Sequence, residues 1–528
     1  MLPVLRCLPS PSCPPRLAGV AGVITLTHNA SPQAAPSGIT SASPRTARAW
    51  YRPRQLTAGD AMPAPDLREQ LRPLFDPRSI AVVGATNTAG KWGNMLMERP
   101  IKGGFPGPVF PVHPTAEEVM GRRAYPSVLD IPEHIDLAVL TVPAPVTPQV
   151  LRECGAKGIR AAVIISAGFS ESGVEGEQRQ ADIVSAAREA GIRFVGPNCN
   201  GMWSASSSLT LHSPTAPAKG RIAFISQSGA FGGSLIEAAS RQGYGVSRFV
   251  STGNQADLND ADYLEYLRDD PETDVIALYI EGLKDPRRFL ETARRVVETK
   301  PVLVYKAGRN PVGARAVHSH TASLMVPDEV FDAACKQFGL IRVHEAMHLF
   351  TLASALSEAP LPNGHRVAVM SMTGGQCVVT SDSCAYLGLD VPVLDEATQE
   401  RLIPMLAPHA PRPTNPVDLA GDFRDVRLFS QVADILADLP YIDGLILSGP
   451  GGAGGDERTR ETAERMATIP ERTGKPVVGV GMRRMADDIS SEVFREHTIP
   501  SYETPEESAR AMHALATYAA IRRDLHGE

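Results

Sequence analysis

The chain has 528 residues, 43% of them hydrophobic and 5% aromatic, with 45 glycines and 45 prolines. This length favours about three domains, and the apolar content excludes a globally disordered chain. The net charge of −7 argues against a nucleic-acid partner, and the seven cysteines form neither a CxxC pair nor a disulfide framework. With no apolar run of 18 residues, the composition predicts a protein without a membrane span, in the reducing cytoplasm.

Residues 1–65 differ in composition from the rest of the chain. Through Asp60 this segment has six arginines, no lysine and one acidic residue, so the remaining chain carries a net charge near −12. The segment is rich in Pro, Ser and Ala and lacks periodicity. It therefore cannot bury enough surface to offset the loss of conformational entropy on folding. We interpret it as a disordered leader or as a start codon placed too early, with Met62 as the true first residue. A transit peptide is the alternative, because such peptides are rich in Arg and Ser and poor in acids.

From Leu67 onwards, short β-branched runs alternate with amphipathic stretches, which predicts three consecutive open, mostly parallel α/β domains. We expect them at residues 66–205, 206–358 and 359–528. The first domain has predicted strands at Ser79–Val83, Val109–Val112, Leu137–Val142, Ala161–Ile165 and Arg193–Val195, and helices at Thr147–Cys154 and Gln178–Ala190. The Ser- and Pro-rich stretch Trp203–Lys219 is interpreted as a linker.

The second and third domains repeat this alternation. Predicted strands of the second are Arg221–Ile225, Arg248–Ser251, Val275–Ile280 and Val302–Tyr305, with helices at Pro327–Phe338 and Glu345–Ser357. The stretch Glu358–His365 contains two prolines, an asparagine and a glycine, which indicates an interdomain linker. The third domain has predicted strands at Val367–Met370, Gly444–Leu447 and Pro476–Gly479 and a last helix at Pro505–Arg522.

The turn after the first strand is rich in glycine, from Gly84 through Ala85 and Thr86 to Gly93. A glycine-rich turn before a helix can present backbone N–H groups to a phosphate. The GxGxxG pattern of dinucleotide sites is absent, and P-loop spacing fails because Trp92 follows the lysine. The second strand also lacks the acid that holds an NAD ribose. The turn therefore favours a phosphate-bearing ligand other than NAD, with a plain tight turn as the alternative.

The first strands of the other two domains are followed by small hydroxyl residues and glycine. The segments are Ser226-Gln227-Ser228-Gly229 and Thr373-Gly374-Gly375. These residue types leave the N–H groups of a helix start accessible and add hydroxyl donors, as an anion site requires. We predict two helix starts that could converge on one anion. Simple N-capping by Ser226 or Ser228 is the alternative.

Two further residues are candidates for chemistry. His320 lies in a polar stretch, residues 316–323, predicted to be a loop, and neither histidine there has the spacing of a metal ligand. Glu281 ends an apolar strand, where α/β domains place working groups, so it could orient a histidine. A packed or solvent-facing histidine and a surface turn acid are the alternatives.

Nine short motifs, in order from about Leu71 to Tyr518, resemble those of the α subunit of ADP-forming (NDP-forming) acyl-CoA synthetases, relatives of succinyl-CoA ligase. They are Ser79–Thr86, Pro111–Pro114, Ile164–Phe169, Gly196–Gly201, Ser226–Ala230, Ser251–Asn254, Tyr279–Gly282, Ser319–Thr321 and Asn415–Asp418. The resemblance implies a Rossmann-like CoA-binding domain followed by two flavodoxin-like ligase domains.

The resemblance also implies roles for the candidate residues. Gly84, Ala85 and Thr86 would contact CoA phosphates. Val142 and Pro143 would border its nucleotide, and Ser166 and Asn198 would lie near the thioester. His320 would carry a transient phosphoryl group, and Glu281 would stabilise it. Ser226, Gln227, Ser228 and Gly229, together with Thr373, Gly374 and Gly375, would begin the two helices that cradle the phosphate.

The implied reaction is acid + CoA + ATP ⇌ acyl-CoA + ADP + Pi. A neutral imidazole is a competent phosphoryl acceptor near pH 7. Since the chain ends at Glu528, we expect the ATP-grasp domain, with ATP or ADP and Mg²⁺, on a separate β subunit in a hetero-oligomer. Three residues depart from the family pattern, namely His113, Asn200 and Ala322 after Ser-His-Thr. A non-catalytic CoA-responsive binding protein and a nicotinamide dehydrogenase are the competing hypotheses.

Overall fold

The computed structural model describes residues 66–213, 215–321, 326–421, 425–449, 457–481 and 489–527, with the backbone alone at 318–321 and 491. The interpretation of residues 1–65 as a leader and the departure at Ala322 lie outside the described residues. Among the described residues, no helix is both long enough and apolar enough to cross a bilayer.

The first unit is a five-stranded parallel sheet covered by helices, with strand order β2-β1-β5-β6-β7 and a separate two-stranded hairpin, β3-β4. The strands of the five-stranded sheet are mostly buried, which explains their continuous apolar runs in the sequence. The strands are β1 (Ile80–Val83), β2 (Val109–Val112), β3 (Glu118–Val119), β4 (Arg122–Arg123), β5 (Leu137–Leu140), β6 (Ala161–Ile164) and β7 (Arg193–Val195). The helices are α1 (Leu67–Phe75), α2 (Trp92–Lys102), α3 (Thr147–Lys157) and α4 (Val174–Ala190).

The second unit is a seven-stranded sheet with order β14-β13-β12-β10-β11-β8-β9. Its strands are β8 (Met202–Ser204), β9 (Leu209–Thr210), β10 (Lys219–Ser226), β11 (Val246–Ser251), β12 (Val275–Ile280), β13 (Val302–Lys306) and β14 (Ile341–Val343). Its helices are α5 (Gly229–Arg241), α6 (Asp260–Arg268), α7 (Pro286–Val297), α8 (Pro311–Thr321), α9 (Asp328–Phe338) and α10 (His348–Glu358).

Two sequence predictions in this unit are wrong. The stretch predicted as a linker, Trp203–Lys219, contains most of β8 and all of β9, and β8 pairs antiparallel with β11. The stretch 316–323, predicted as a loop, is helical through Thr321 as the end of α8. Asn310 explains this helix, because its Oδ1 accepts from the N–H groups of Val312 and Gly313 just after Pro311.

The third unit is a five-stranded parallel sheet with order β16-β15-β17-β18-β19. Its strands are β15 (Val367–Ser371), β16 (Val417–Asp418), β17 (Gly444–Ser448), β18 (Val477–Val480) and β19 (Ser501–Tyr502). Its helices are α11 (Gly374–Leu387), α12 (Glu396–Leu402), α13 (Arg427–Ala437), α14 (Glu457–Ala467), α15 (Ile469–Thr473), α16 (Ile489–Glu496) and α17 (Pro505–His526).

The five parallel strands of each sheet follow the same order, 2-1-3-4-5 counted along the chain. This confirms the predicted class of three mostly parallel α/β units, while the domain bounds stay a prediction. In such sheets the chain reverses its direction of winding between the first and third strands, and ligands bind in the crevice beyond their carboxyl ends. The three switch points lie between β1 and β5, between β10 and β12, and between β15 and β17.

Buried side chains join the three sheets. Helix α1 packs on α6, where the rings of Phe75 and Tyr266 stack with centroids 4.3 Å apart. On the other side of the second sheet, α10 packs against α17, and the Tyr502 hydroxyl donates to the carbonyl of Thr351 at 2.8 Å. The first junction thus joins the first and second units, and the other joins the second and third.

Candidate functional site

The turn after β1 is locked to the end of β5 across the first switch point. Gly84 has a φ of +91°, and a Cβ at this position would lie 2.6 Å from the Thr141 hydroxyl. The Thr141 hydroxyl lies 3.2 Å from the carbonyl oxygens of both Val83 and Gly84. Only glycine therefore fits here. Ala85 is buried, whereas Thr86 is half-buried at the start of the exposed part of the turn.

The helix that follows this turn has an accessible start. Lys91 is in the N-cap position of α2, and no side chain caps the helix by a hydrogen bond. Residues 87–92 are exposed. Uncapped N–H groups and the positive end of the helix dipole suit a phosphate at this place.

Three predicted CoA residues from successive strand ends are hydrogen-bonded in series. The Ser166 hydroxyl, after β6, donates to the carbonyl of Val142, after β5, at 2.5 Å. The backbone N–H of Asn198, after β7, donates to the carbonyl of Ser166 at 2.9 Å. Pro143 and Asn198 are exposed, so this edge of the sheet faces outwards. The structure thus brings Val142, Ser166 and Asn198 together, while their contacts with CoA stay a prediction.

The same edge meets the second sheet at the start of α5. The Asn198 amide donates to the Asn254 carbonyl oxygen at 3.3 Å, and the Asn200 N–H donates to the Ser251 hydroxyl at 2.9 Å. A Cβ on Gly229, the first residue of α5, would lie 2.7 Å from the Ser251 hydroxyl. The predicted thioester region and the predicted phosphate helix are therefore neighbours.

Asn254 connects the two sheets through several bonds. Its Nδ2 donates to the Ser170 hydroxyl at 3.2 Å, to Gln180 Oε1 at 3.1 Å and to the Glu171 carboxylate. Burial opposes ionisation of Glu171, but the Asn254 amide and nearby backbone N–H groups outweigh it and lower the pKa of this carboxyl. The loop after β6 is thus anchored as an anion to the second unit.

The turn after β10 divides the four predicted phosphate ligands into two groups. Ser226 is fully buried, and its hydroxyl donates to the carbonyl of Ser228 at 2.7 Å. The Gln227 N–H donates to the carbonyl of Tyr279 at 3.1 Å, and its side chain is also fully bonded within the protein. The structure therefore does not support phosphate contacts from Ser226 and Gln227. Ser228 and Gly229 are half-buried at an α5 start that no side chain caps, so their predicted role stands as a prediction.

Glu281 is buried at the end of β12, with 5% of its surface exposed. Its backbone N–H donates to Gln227 Oε1 at 2.7 Å, which fixes the residue across the switch point between β10 and β12. His320 lies in the last turn of α8. The side chain of His320 lies outside the described residues, so its pairing with Glu281 stays a prediction.

In the third unit, the turn after β15 is organised by Gln376. Its Oε1 accepts from the hydroxyls of Ser371, at 3.0 Å, of Thr373, at 3.3 Å, and of Ser448 across the switch point. Thr373 and Gly375 are exposed and α11 has no side-chain cap, but a Cβ on Gly374 would lie 2.7 Å from the Asp418 carboxylate. This acid already faces the helix start. Convergence of α5 and α11 on one anion is not established by a contact among the described residues and stays a prediction.

Sequence reasoning missed Asn254 and Asp260. Asn254 ends the motif Ser251–Asn254, and this position was a signal in the sequence. The residues to which Asn254 is hydrogen-bonded could not be predicted from the motif. Asp260 is the first residue of α6, after the Asn259 N-cap. An acid at this position is typical of a residue that interacts with the helix dipole. In the structure, however, Asp260 is buried, with 3% of its surface exposed, and it accepts a hydrogen bond from Gln227. Among the described residues, no cluster of His, Cys, Asp and Glu is arranged to hold a metal ion.

Two family models match the chain in the order of the units. A CoA binding domain matches residues 78–204, and a succinyl-CoA ligase like flavodoxin domain matches residues 219–356. The two ranges contain the Gly84 turn and the Gln227–Glu281 switch point, respectively.

Relatives match across nearly the whole described body. The alpha subunit of an ADP-forming acetate–CoA ligase II of Pyrococcus furiosus is 40% identical over 447 residues, which is 84% of this chain and 97% of that protein. An ADP-forming acetate–CoA ligase I of Archaeoglobus fulgidus is 38% identical over 85% of this chain, and the chain spans 64% of that longer protein. A solved structure of the Ca. Korarchaeum cryptofilum acetyl-coenzyme A synthetase 1 with phosphate and ADP is 34% identical, with a TM-score of 0.77, over 87% of this chain and 98% of that one.

Proposed function

This chain belongs to the family of ADP-forming acyl-CoA ligase alpha subunits, and we propose that it is the CoA-binding, phosphohistidine-bearing subunit of an acid–CoA ligase. The proposed reaction is acid + CoA + ATP ⇌ acyl-CoA + ADP + Pi. The observation that carries it is the hydrogen-bonded series Val142–Ser166–Asn198, together with Asn200 two residues later, which lies at the uncapped start of α5. A CoA thioester on the first sheet would there reach a phosphate on the second.

The first switch point supplies the CoA crevice in this proposal. Gly84, Ala85 and Thr86 lead into the accessible start of α2, whose N–H groups suit the CoA phosphates. Val142 and Pro143 border the nucleotide on the neighbouring strand end. Ser166 and Asn198 then line the path of the reacting thioester towards α5.

The second switch point supplies the phosphoryl chemistry. In the direction of acid release, a phosphate oxygen attacks the thioester carbonyl, the carbon–sulfur bond breaks, and CoA leaves as a thiol after taking a proton. An imidazole nitrogen of His320 next attacks the acyl phosphate, and the carboxylate leaves with both electrons of the broken bond. N–H groups at the start of α5 and the buried Glu281 stabilise the charges.

The final phosphoryl transfer requires a second protein in this proposal. We assign ATP or ADP and Mg²⁺ to an ATP-grasp β subunit, so the active form is a hetero-oligomer. The relatives named as acetate–CoA ligases support a small carboxylic acid as substrate. A cytoplasmic location belongs to the proposal. The five cysteines described are buried and unpaired, as in a reducing compartment.

The test is phosphorylation of His320. The chain is purified with its ATP-grasp partner, incubated with γ-labelled ATP and Mg²⁺, and assayed for a label that is labile in acid and stable in alkali. We expect up to one label per chain and none in His320→Ala. His318→Ala, two residues earlier in the same helix, is the matched control and should keep the label.

Two further results define the outcome. Without the partner, the chain should bind CoA in a calorimetric titration but show no turnover of ATP. If His320→Ala still becomes labelled at full stoichiometry, the phosphohistidine mechanism is wrong. If the wild-type pair binds CoA but neither labels nor turns over, the non-catalytic CoA-responsive protein is the correct alternative.

A further inference from the structure

The side chain of Gln227 forms a bracket around the backbone at Glu281. Its Oε1 accepts from the N–H groups of Glu281, at 2.7 Å, and Gly282, at 3.0 Å. Its Nε2 donates to the carbonyl of Gly282 at 2.7 Å and to Asp260 Oδ2 at 2.7 Å. These four bonds use the full capacity of a primary amide. Gln227 thus joins the ends of β10 and β12 and fixes where Glu281 leaves its strand.

Asp260 is the side-chain acceptor of this bracket. The two N–H groups of Glu281 and Gly282 require an acceptor, so Oε1 must face them and Nε2 must face Asp260. Asp260 lies at the start of α6 with 3% of its surface exposed. Its other oxygen, Oδ1, accepts from Gln255 Nε2 at 3.0 Å, and Gln255 Nε2 is also 3.1 Å from the Thr252 hydroxyl.

Burial of this carboxylate among amides is energetically unfavourable. Desolvation raises the pKa of Asp260 to about 6, although the amides of Gln255 and Gln227 stabilise its charged form. Asn259 already caps this helix, so the acid is not needed as an N-cap. The contact with Gln227 gives this acid a specific function.

We propose that Asp260 is a positioning residue for the phosphoryl chemistry, acting through the Gln227 amide on Glu281. Asp260 touches no substrate. It holds Nε2 so that Oε1 keeps both N–H groups at 281 and 282 in place, and the Glu281 carboxylate therefore starts from a fixed backbone. The inference rests on the proposed function for the role of Glu281, while the bracket itself is a property of the fold.

The test compares three variants of the full chain with its ATP-grasp partner. Asp260→Ala removes the acceptor for Gln227 Nε2. Asp260→Asn keeps one acceptor oxygen, and its new NH₂ group can face the Gln255 Oε1 atom, which is buried without a hydrogen-bond partner. Asp262→Ala is the matched structural control. It removes a buried acid of the same helix turn that bonds the Asn259 N–H and Arg288.

The expected result is a split between kcat and KM. Asp260→Ala should lower kcat and the single-turnover rate of His320 labelling at least tenfold, with the KM for CoA within twofold of wild type. Asp260→Asn should restore the rate to within about threefold. Asp262→Ala should lower the melting temperature but leave the labelling rate within twofold.

A second measurement tests the hydrogen bonds of the bracket independently of enzyme activity. In hydrogen exchange followed by mass spectrometry, peptides covering 281–282 should exchange at least tenfold faster in Asp260→Ala than in Asp260→Asn. A labelling rate in Asp260→Ala within twofold of wild type, or an equal loss in Asp260→Ala and Asp262→Ala, overturns the inference alone. A wild-type pair that is never labelled overturns the proposed function and the role of Glu281 with it.

Discussion

The side-chain amides of Asn198 and Asn254 face each other, with Nδ2 of Asn198 donating to Oδ1 of Asn254 at 3.3 Å. Asn198 follows the last strand of the first sheet, and Asn254 follows β11 of the second. The bond therefore spans the edge where the proposed CoA crevice meets the proposed phosphoryl site. Because Asn254 also anchors the ionised Glu171, a change at one residue should disturb the geometry of both loops.

Asn254→Ala should weaken CoA binding. The variant removes the donor to Glu171 and the acceptor for Asn198, and a hydrogen bond to a charged group contributes about 1.5–3 kcal/mol. We expect the dissociation constant for CoA to rise about tenfold or more, measured by calorimetry. Asn363→Ala, an exposed asparagine between the second and third units, is the control and should leave it unchanged. An unaltered affinity in Asn254→Ala would remove this residue from the site.

Gly84→Ala should abolish tight CoA binding. An alanine would have to adopt a φ of +91° with its Cβ 2.6 Å from the Thr141 hydroxyl, so the turn after β1 must shift. Gly158, the C-cap of α3, has the same φ of +91°, but a Cβ at this position would have no neighbouring atom within 4 Å. Gly158→Ala should therefore lose stability through backbone strain of about 1–2 kcal/mol while CoA affinity stays at the wild-type value. Equal CoA affinities in the two variants would contradict the assignment of the turn.

The stability of the protein should depend on pH through Asp260. Burial raises the pKa of this carboxyl from 3.8 to about 6, so the folded state holds the proton more tightly than the unfolded chain. The stabilisation by protonation is complete below pH 3.8 and is lost as the pH rises through 6. The free energy of unfolding of Asp260→Asn, relative to that of the wild type, should therefore increase by on the order of 3 kcal/mol from pH 4 to pH 8. Urea unfolding at both pH values measures this difference, and a difference independent of pH would show that Asp260 titrates normally.

Loss of Asp270 should destabilise the second unit. Arg248 is almost fully buried, and its Nε donates to Asp270 Oδ2 at 3.0 Å. Asp270→Ala leaves that guanidinium without its buried partner, which costs about 3–5 kcal/mol. The control is Asp274→Ala, because the Arg221–Asp274 pair is partly exposed and such pairs contribute about 0–1 kcal/mol. In chemical unfolding, Asp270→Ala should be much less stable than Asp274→Ala. The reversed order of stability would contradict the burial of the Arg248–Asp270 pair.

The strands could be predicted from the sequence because both faces of each parallel sheet are covered. Val109–Val112, Arg193–Val195 and Val275–Ile280 agree with the predicted bounds, and each end of the other predicted strands differs by at most two residues. The antiparallel pair β8-β9 was missed because strands of three and two residues, surrounded by serine and proline, give no apolar run. The helix α8 was missed because the polar stretch at its end outweighed the Asn310-Pro311 start signal.

The site could be predicted one strand end at a time but not as a whole. Motifs identified Gly84, Ser166, Asn198 and Glu281 separately. Which strand ends lie side by side depends on the 2-1-3-4-5 order, and that order is set by packing between distant segments. For this reason Gln227 was assigned to a phosphate, although its amide is used across the switch point to hold Glu281.

The antiparallel pairing of β8 with β11 also determines how this chain can be divided. Trp203, which is almost fully buried, donates through its indole N–H to the carbonyl of Val246 at 3.2 Å. A fragment cut after residue 205, at the boundary predicted from the sequence, would strip this indole from the second sheet and leave one edge of β11 open. Such an open edge is a template for aggregation. One border of the second sheet is therefore formed by residues that precede all five of its parallel strands in the chain.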